Sequence, residues 1–161
     1  MDLYGFNVEV LFLVHDNEIL AYSWHYDEKK ALRHLKKITD FHKLNGEIKK
    51  SEKLEGWLKR KVDEVVIKGA NFRLPDFEYR NRAVYQSIIK IPKGKTATYA
   101  EIAKMSGVRF TEMLITLMRN PFQVLVPCHR LLTNKGTLFG FYPLGKKAKR
   151  KLLEIEGVRL W

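Results

Sequence analysis

From Val8 to Val14 every position but Glu9 is apolar, and the β-branched and aromatic content favours a strand. Asp16-Asn17 is a turn signal, and Glu18 to His25 returns with Tyr22 and Trp24, which predicts a β-hairpin. Asp27 then has the character of an N-cap for a helix running to about Ile38, where Ala31, Leu32, Leu35 and Ile38 share one face. A second amphipathic piece, Lys53 to Val62, leads to a short apolar segment, Val65-Val66-Ile67. The pattern predicts a small α/β unit over residues 1–74, with the Pro75-containing loop Gly69 to Asp76 as its boundary.

Beyond that loop the periodicity becomes mainly helical. Phe77, Val84, Tyr85, Ile88 and Ile89 form a helical stripe that Pro92-Lys93-Gly94 stops. Thr98 caps a helix from Tyr99 to Met105, Glu101 completes a capping box, and Ser106-Gly107 ends it. Thr111 to Met118 is a further helix, ended before Asn120-Pro121. Two short helices across a tight Gly-containing turn fit a helix-turn-helix, and equally an ordinary αα-hairpin. Val124-Leu125-Val126 is a buried strand or core segment, Leu131 to Leu138 is strand-like around a turn at Asn134-Lys135-Gly136, and Gly145 to Glu156 is the last helix.

Composition narrows the classes. With 161 residues, 45% of them hydrophobic, the chain can bury a core, which excludes fibrous and disordered readings. Thirty Lys and Arg against 18 Asp and Glu leave a formal charge of +12, which favours nucleic acid as a partner or, more simply, a solvated basic surface. One cysteine permits no intramolecular disulfide, and the free thiol implies a reducing compartment. Met1 to Val14 has no basic lead-in and too short an apolar run to span a bilayer, so a soluble cytoplasmic protein without membrane contact is expected. The five histidines lack a ligand spacing, so no metal is expected; His15, His25, His34 and His42 read as surface or partly packed residues.

The remaining chemistry is in Pro127-Cys128-His129-Arg130. A cysteine ending an apolar strand is commonly an inert small hydrophobe. Against that, Pro127 fixes the backbone before the thiol, Arg130 and the basic charge favour an anionic sulfur, and His129 is a base. In extended chain Cys128 and His129 point to opposite sides, so either the chain turns here or a water bridges them. A cysteine hydrolase would need a distant His and an oxyanion hole, for which the dipeptide gives no reason.

Four stretches in one order, Thr98-Tyr99-Ala100-Glu101-Ile102-Ala103, Met118-Arg119-Asn120-Pro121, Val124 to Leu132 around Pro127-Cys128-His129-Arg130, and Lys149 to Gly157, resemble the O6-alkylguanine-DNA alkyltransferase family over about the last 85 residues. The resemblance implies a ribonuclease H-like α/β N-terminal unit, with a small antiparallel sheet plus helix, followed over residues 75–161 by a mainly α winged-helix/helix-turn-helix domain. It also implies irreversible single-turnover transfer of an alkyl group from O6-alkylguanine, and from O4-alkylthymine, in double-stranded DNA to Cys128 by a monomer without a cofactor. His129 would deprotonate Cys128 through a water, Glu156 would orient His129, Asn120 would tie the second helix to the cysteine segment, and Tyr99 would donate to the departing guanine. DNA contacts would come from Thr98, Tyr99, Arg109, Phe110, Arg119 and Arg130. Met118, Leu131, Phe141, Tyr142 and Lys149 would line the alkylguanine pocket.

The chemistry is sound in itself: a soft thiolate suits displacement at an alkyl carbon, and that carbon lies inside the base stack, so the nucleotide must be extruded. The chain departs from the family where a second-helix arginine would fill the extruded base's gap: Thr111 or Glu112 stands there, with Arg109 and Phe110 as neighbouring substitutes. Leu114, Ile115 and Thr116 replace small residues, and the loop Gly140 to Gly145 is one residue longer. The alternatives are a non-catalytic damage sensor of the same family and a basic winged-helix DNA-binding protein whose cysteine is inert.

Overall fold

The computed structural model describes residues 1–159. A short ladder between Asp2–Leu3 (β1) and Phe6–Asn7 (β2) precedes the predicted hairpin, Glu9–His15 (β3) and Glu18–His25 (β4). The hairpin is antiparallel with Phe12 opposite Tyr22, and Glu47–Lys49 (β5) adds to the other edge of β3, giving the order β4-β3-β5. Asp27 caps Glu28–His42 (α1), accepting from Lys29 N at 2.7 Å, and Lys43 ends it in the left-handed region. The buried stripe Ala31, His34, Leu35, Ile38 and His42 packs α1 onto β3 and β4. Glu52–Val66 (α2) follows, capped by Ser51, and buries Leu58, Val62, Val65 and Val66.

The second half holds Arg82–Ile89 (α3), Ala97–Thr98 (β6), Tyr99–Ser106 (α4), Phe110–Met118 (α5), Leu131–Leu132 (β7) and Lys146–Ile155 (α6). Gly107 in the left-handed region closes α4, and α3, α4 and α5 pack on one another. β6 and β7 pair in parallel, which sets the start of α4 beside the chain leaving Cys128.

The halves share a seam built on the two-residue period of β4. Tyr22 OH donates to Gln123 O, Trp24 Nε1 to Gln123 Oε1, and Tyr26 OH to Leu144 O at 2.7 Å. Ser23, on the opposite face, donates to Ala31 O. β4 is therefore held between α1 and the segments that carry the site.

Several expectations change. Val65-Val66 is the end of α2, because its apolar positions continue the helical stripe. The helix predicted from Phe77 begins only at Arg82: Asn81 is left-handed, and the Arg82 guanidinium bonds the carbonyls of Leu74, Pro75 and Phe77, satisfying a non-helical backbone. Val124 to Val126 is a buried turn with one isolated bridge between Gln123 and Val126. As expected, Leu131 and Leu132 form a strand and Thr133 and Thr137 close the turn around Asn134-Lys135-Gly136, but the strand ends at Leu132. His34 and His42 are buried at 4% exposure each.

Candidate active site

The cysteine segment is shaped by one asparagine. Asn120 Oδ1 accepts from Phe122 N at 2.9 Å, while its Nδ2 donates to Val126 O at 3.1 Å and stands 3.5 Å from Cys128 Sγ. Between these anchors Val124 sits at φ 77°, a strained conformation for a β-branched residue. Cys128–Arg130 then forms one 3-10 turn. At three residues per turn, successive side chains diverge by about 120°, so Cys128 and His129 leave in different directions. Of the two routes left open by the sequence, the chain does turn, yet His129 still makes no hydrogen bond to the sulfur.

His129 is fully buried and donates from Nε2 to Glu156 Oε1 at 3.0 Å; its Nδ1 is buried without a hydrogen-bond partner among the described residues. Glu156 also receives Arg130 Nε at 3.0 Å and Nη2 at 2.5 Å. Arg130 spends its remaining donors on Ile91 O, at 2.7 Å, and Val65 O. Burial pushes the Glu156 carboxyl up, but hydrogen bonds from His129 and Arg130 outweigh it and hold it below the carboxylate range. Burial lowers the His129 imidazole, against the pull of Glu156, so it is neutral. Burial likewise raises the Cys128 thiol, opposed by Asn120, the Lys149 charge and local backbone hydrogen bonds. A neutral thiol therefore stands beside a neutral base that already has its counter-ion.

Lys149 is completely buried, and desolvation lowers it to about 8. Its Nζ donates to Tyr99 OH at 3.0 Å. Burial, then the nearby Cys128, raise the Tyr99 phenol, so it keeps its proton.

Cys128 opens into a pocket of about 430 Å³, within the range of about 300–1,000 Å³ typical of small-molecule sites. Tyr99, Leu117, Met118, Gln123, Phe141 and Tyr142 are among the residues that line it. Of the residues expected at DNA, Thr98 caps α4, and Arg109 and Phe110 are exposed where α5 begins. Arg119 is half-buried at the end of α5, its carbonyl accepting from His42 Nε2 at 2.8 Å. Three expectations are corrected. Arg130 is buried in the Glu156 ion pair and cannot reach a phosphate, and Leu131 is fully buried in β7, outside the pocket lining. Lys149 reaches the site through Tyr99 and is not itself part of the pocket wall. Sequence reasoning missed Gln123, whose Nε2 donates to Tyr142 O; its one signal was an amide inside the apolar run Phe122 to Val126. Leu114, Leu117 and Phe139 were also missed, since apolar residues on a helix or loop carry no mark of a pocket.

The comparisons with known proteins concentrate on this half. Residues 80–158 match the family model of the 6-O-methylguanine DNA methyltransferase DNA-binding domain. By this match, residues 80–158 belong to that family. A methylated-DNA–protein-cysteine methyltransferase of Saccharolobus islandicus is 40% identical over 78 residues, 48% of this chain and 50% of the relative. One from Methanothermobacter thermautotrophicus is 42% identical over 83 residues, 52% of this chain and 46% of the relative. The chain thus spans about half the length of the curated relatives it matches. The crystal structure of an O6-methylguanine-DNA methyltransferase from Pyrococcus kodakaraensis strain KOD1 aligns over 92% of each chain with TM-score 0.67 at 24% identity, which shows a common mixed α/β fold. Charge divides at the same place: residues 1–79 carry fourteen Lys and Arg against fourteen Asp and Glu, whereas residues 80–161 carry sixteen against four.

Proposed function

We propose that this protein repairs DNA by direct reversal, moving the alkyl group of O6-alkylguanine irreversibly onto Cys128. The observation that carries this reading is the two-sided setting of Cys128: an apolar pocket in front, and behind it Asn120 and the neutral His129 imidazole bonded to the Glu156 carboxylate. His129 Nδ1, buried and unpartnered, takes the thiol proton through one water, and Glu156 stabilises the imidazolium that forms. The thiolate attacks the alkyl carbon, the S–C bond forms as the C–O6 bond breaks, and the electron pair passes to the guanine. Tyr99 OH, whose oxygen already accepts from Lys149, keeps its proton and donates a hydrogen bond to a guanine ring nitrogen, which stabilises the developing negative charge. A thioether offers water no leaving group, so each molecule acts once.

In this reading α4 and α5 are a helix-turn-helix within a winged-helix unit of residues 75–161, and residues 1–74 are a ribonuclease H-like unit. Thr98, Arg109 and Arg119 contact the backbone, and the exposed apolar side chains Phe110, Ile115 and Met118 face the duplex where the nucleotide is extruded. The protein works as a monomer in the cytoplasm, and O4-alkylthymine is a second substrate.

Incubation with a duplex carrying O6-methylguanine, followed by intact mass and peptide mapping, tests the proposal. One methyl per chain on the Cys128 peptide, lost in Cys128→Ala, is the expected result. Binding without mass gain would leave a damage sensor and sink the transfer reading.

A further inference from the structure

A second groove, of about 820 Å³, lies on the N-terminal half and shares no lining residue with the pocket at Cys128. Its floor is apolar: Trp57 and Phe72 are half-buried there, and Phe72 packs on Phe122 with ring centroids 5.1 Å apart. Its rim carries Lys49, Lys53, Arg60, Lys61 and Arg73 against one acid, Glu18. Lys53, Trp57, Arg60 and Lys61 recur at helical spacing, so one face of α2 presents three cations and an aromatic ring together. Lys49, Lys61 and Arg73 each have a carboxylate within 3.8 Å, whereas Lys53 and Arg60 have no ion pair among the described residues. Residues 1–79 have no net charge, so this concentration of cations is local.

Cations alone would suit any polyanion. Cations around flat, half-buried rings suit an anionic polymer that also carries bases to stack, the combination found in grooves for single-stranded nucleic acid. We propose that this groove binds single-stranded DNA, with phosphates on Lys53 and Arg60 and bases against Trp57 and Phe72. The site is separate from the proposed duplex-reading face and does not depend on the transfer chemistry.

The whole chain is titrated with a thymidine octamer while tryptophan emission and anisotropy of a labelled octamer are followed. The octamer quenches emission, and Trp57→Ala removes the quench and weakens binding about tenfold, the scale of losing one base–aromatic stack. The Lys53→Glu/Arg60→Glu double variant, altered only at exposed positions, lowers the salt slope of log affinity by about 0.7 for each phosphate it no longer neutralises. Methyl transfer from an O6-methylguanine duplex keeps its rate in both variants. Unchanged octamer affinity in the double variant overturns the proposal, as does failure of the octamer to bind. Equally tight binding of heparin, a polyanion without bases, also overturns it and reduces the groove to an anion trap.

Discussion

Behind Cys128 three of the buried polar groups are ions, beside the neutral Asn120 and His129, whereas along the seam between β4 and residues 121–144 the hydrogen-bonding groups are neutral. In the first region Glu156, Arg130 and Lys149 are buried, and each charge is matched to a partner atom at 2.5–3.0 Å. In the second, Tyr22, Trp24 and Tyr26 donate to a carbonyl, an amide oxygen and another carbonyl. Nearby, His42 donates from Nε2 to Arg119 O while its Nδ1 accepts from Arg80 N at 3.0 Å. The difference teaches where this fold places risk. An ion removed from water is tolerable only while its partner stays, whereas a broken neutral hydrogen bond costs one desolvated group. Charge is concentrated around the Cys128 segment, and the hydrogen bonds that align the two halves are between neutral groups.

The largest expected effect comes from breaking the ionic side. Glu156→Ala leaves Arg130 buried without its counter-ion, and unfolding in denaturant should show a loss of about 3–5 kcal/mol. A loss no greater than that of a seam variant would erase the contrast between the regions.

The next test uses pH. Burial holds His42 at about 4, so the native state refuses a proton that the unfolded chain accepts below its ordinary value near 6.5. Stability from this group is therefore present at neutral pH, declines as pH falls through 6.5, and stops declining near 4. Between pH 7 and 5 it should fall by about 2 kcal/mol, a decline that His42→Gln removes. Equal pH dependence in both proteins would show that His42 is not held neutral. His34, lowered by burial to about 3, adds the same slope to both and cancels from the comparison.

Trp24→Phe keeps an aromatic ring but leaves Gln123 Oε1 buried without its donor, so a loss of about 1–3 kcal/mol is expected. Because Gln123 also holds Tyr142 O, benzyl and methyl transfer should change in ratio while duplex affinity stays constant. A constant ratio would detach the seam from the pocket. The smallest effect is at the helix cap: Thr98→Ala removes the bond from Glu101 N and should cost about 1 kcal/mol by thermal unfolding. A cost nearer that of Glu156→Ala would mean that Thr98 has a second role.

Local pattern made much of the scaffold legible. The hairpin of β3 and β4, the Asp27 and Thr98 caps and the Gly107 stop follow from residues within a few positions of one another. Cys128, His129, Tyr99, Asn120 and Glu156 were legible through their ordered motifs, and they do converge on one site. Arg130 was misassigned because nothing in a tetrapeptide distinguishes a cation that meets phosphate from one that meets a carboxylate 26 residues away. Of the two readings at Val124 to Val126, buried strand or core segment, the second holds: an apolar run fits a buried turn as well as a buried strand, and the Asn120 bonds, made across the turn, decide between them.

By itself the sequence determined a basic chain with one thiol, its main helices and hairpin, and the residue types for a cysteine nucleophile, because these depend on composition and short spacings. The ordered motifs suggested that Glu156 meets His129; only tertiary structure decided that this bond uses Nε2 and leaves Nδ1 without a partner among the described residues, that Lys149 is an interior cation on Tyr99, and that β4 supplies the far support of the pocket through Gln123. The physical reason is distance along the chain: these contacts join residues 27, 50 and 99 positions apart, where no local periodicity reaches and only the packed core brings donor to acceptor.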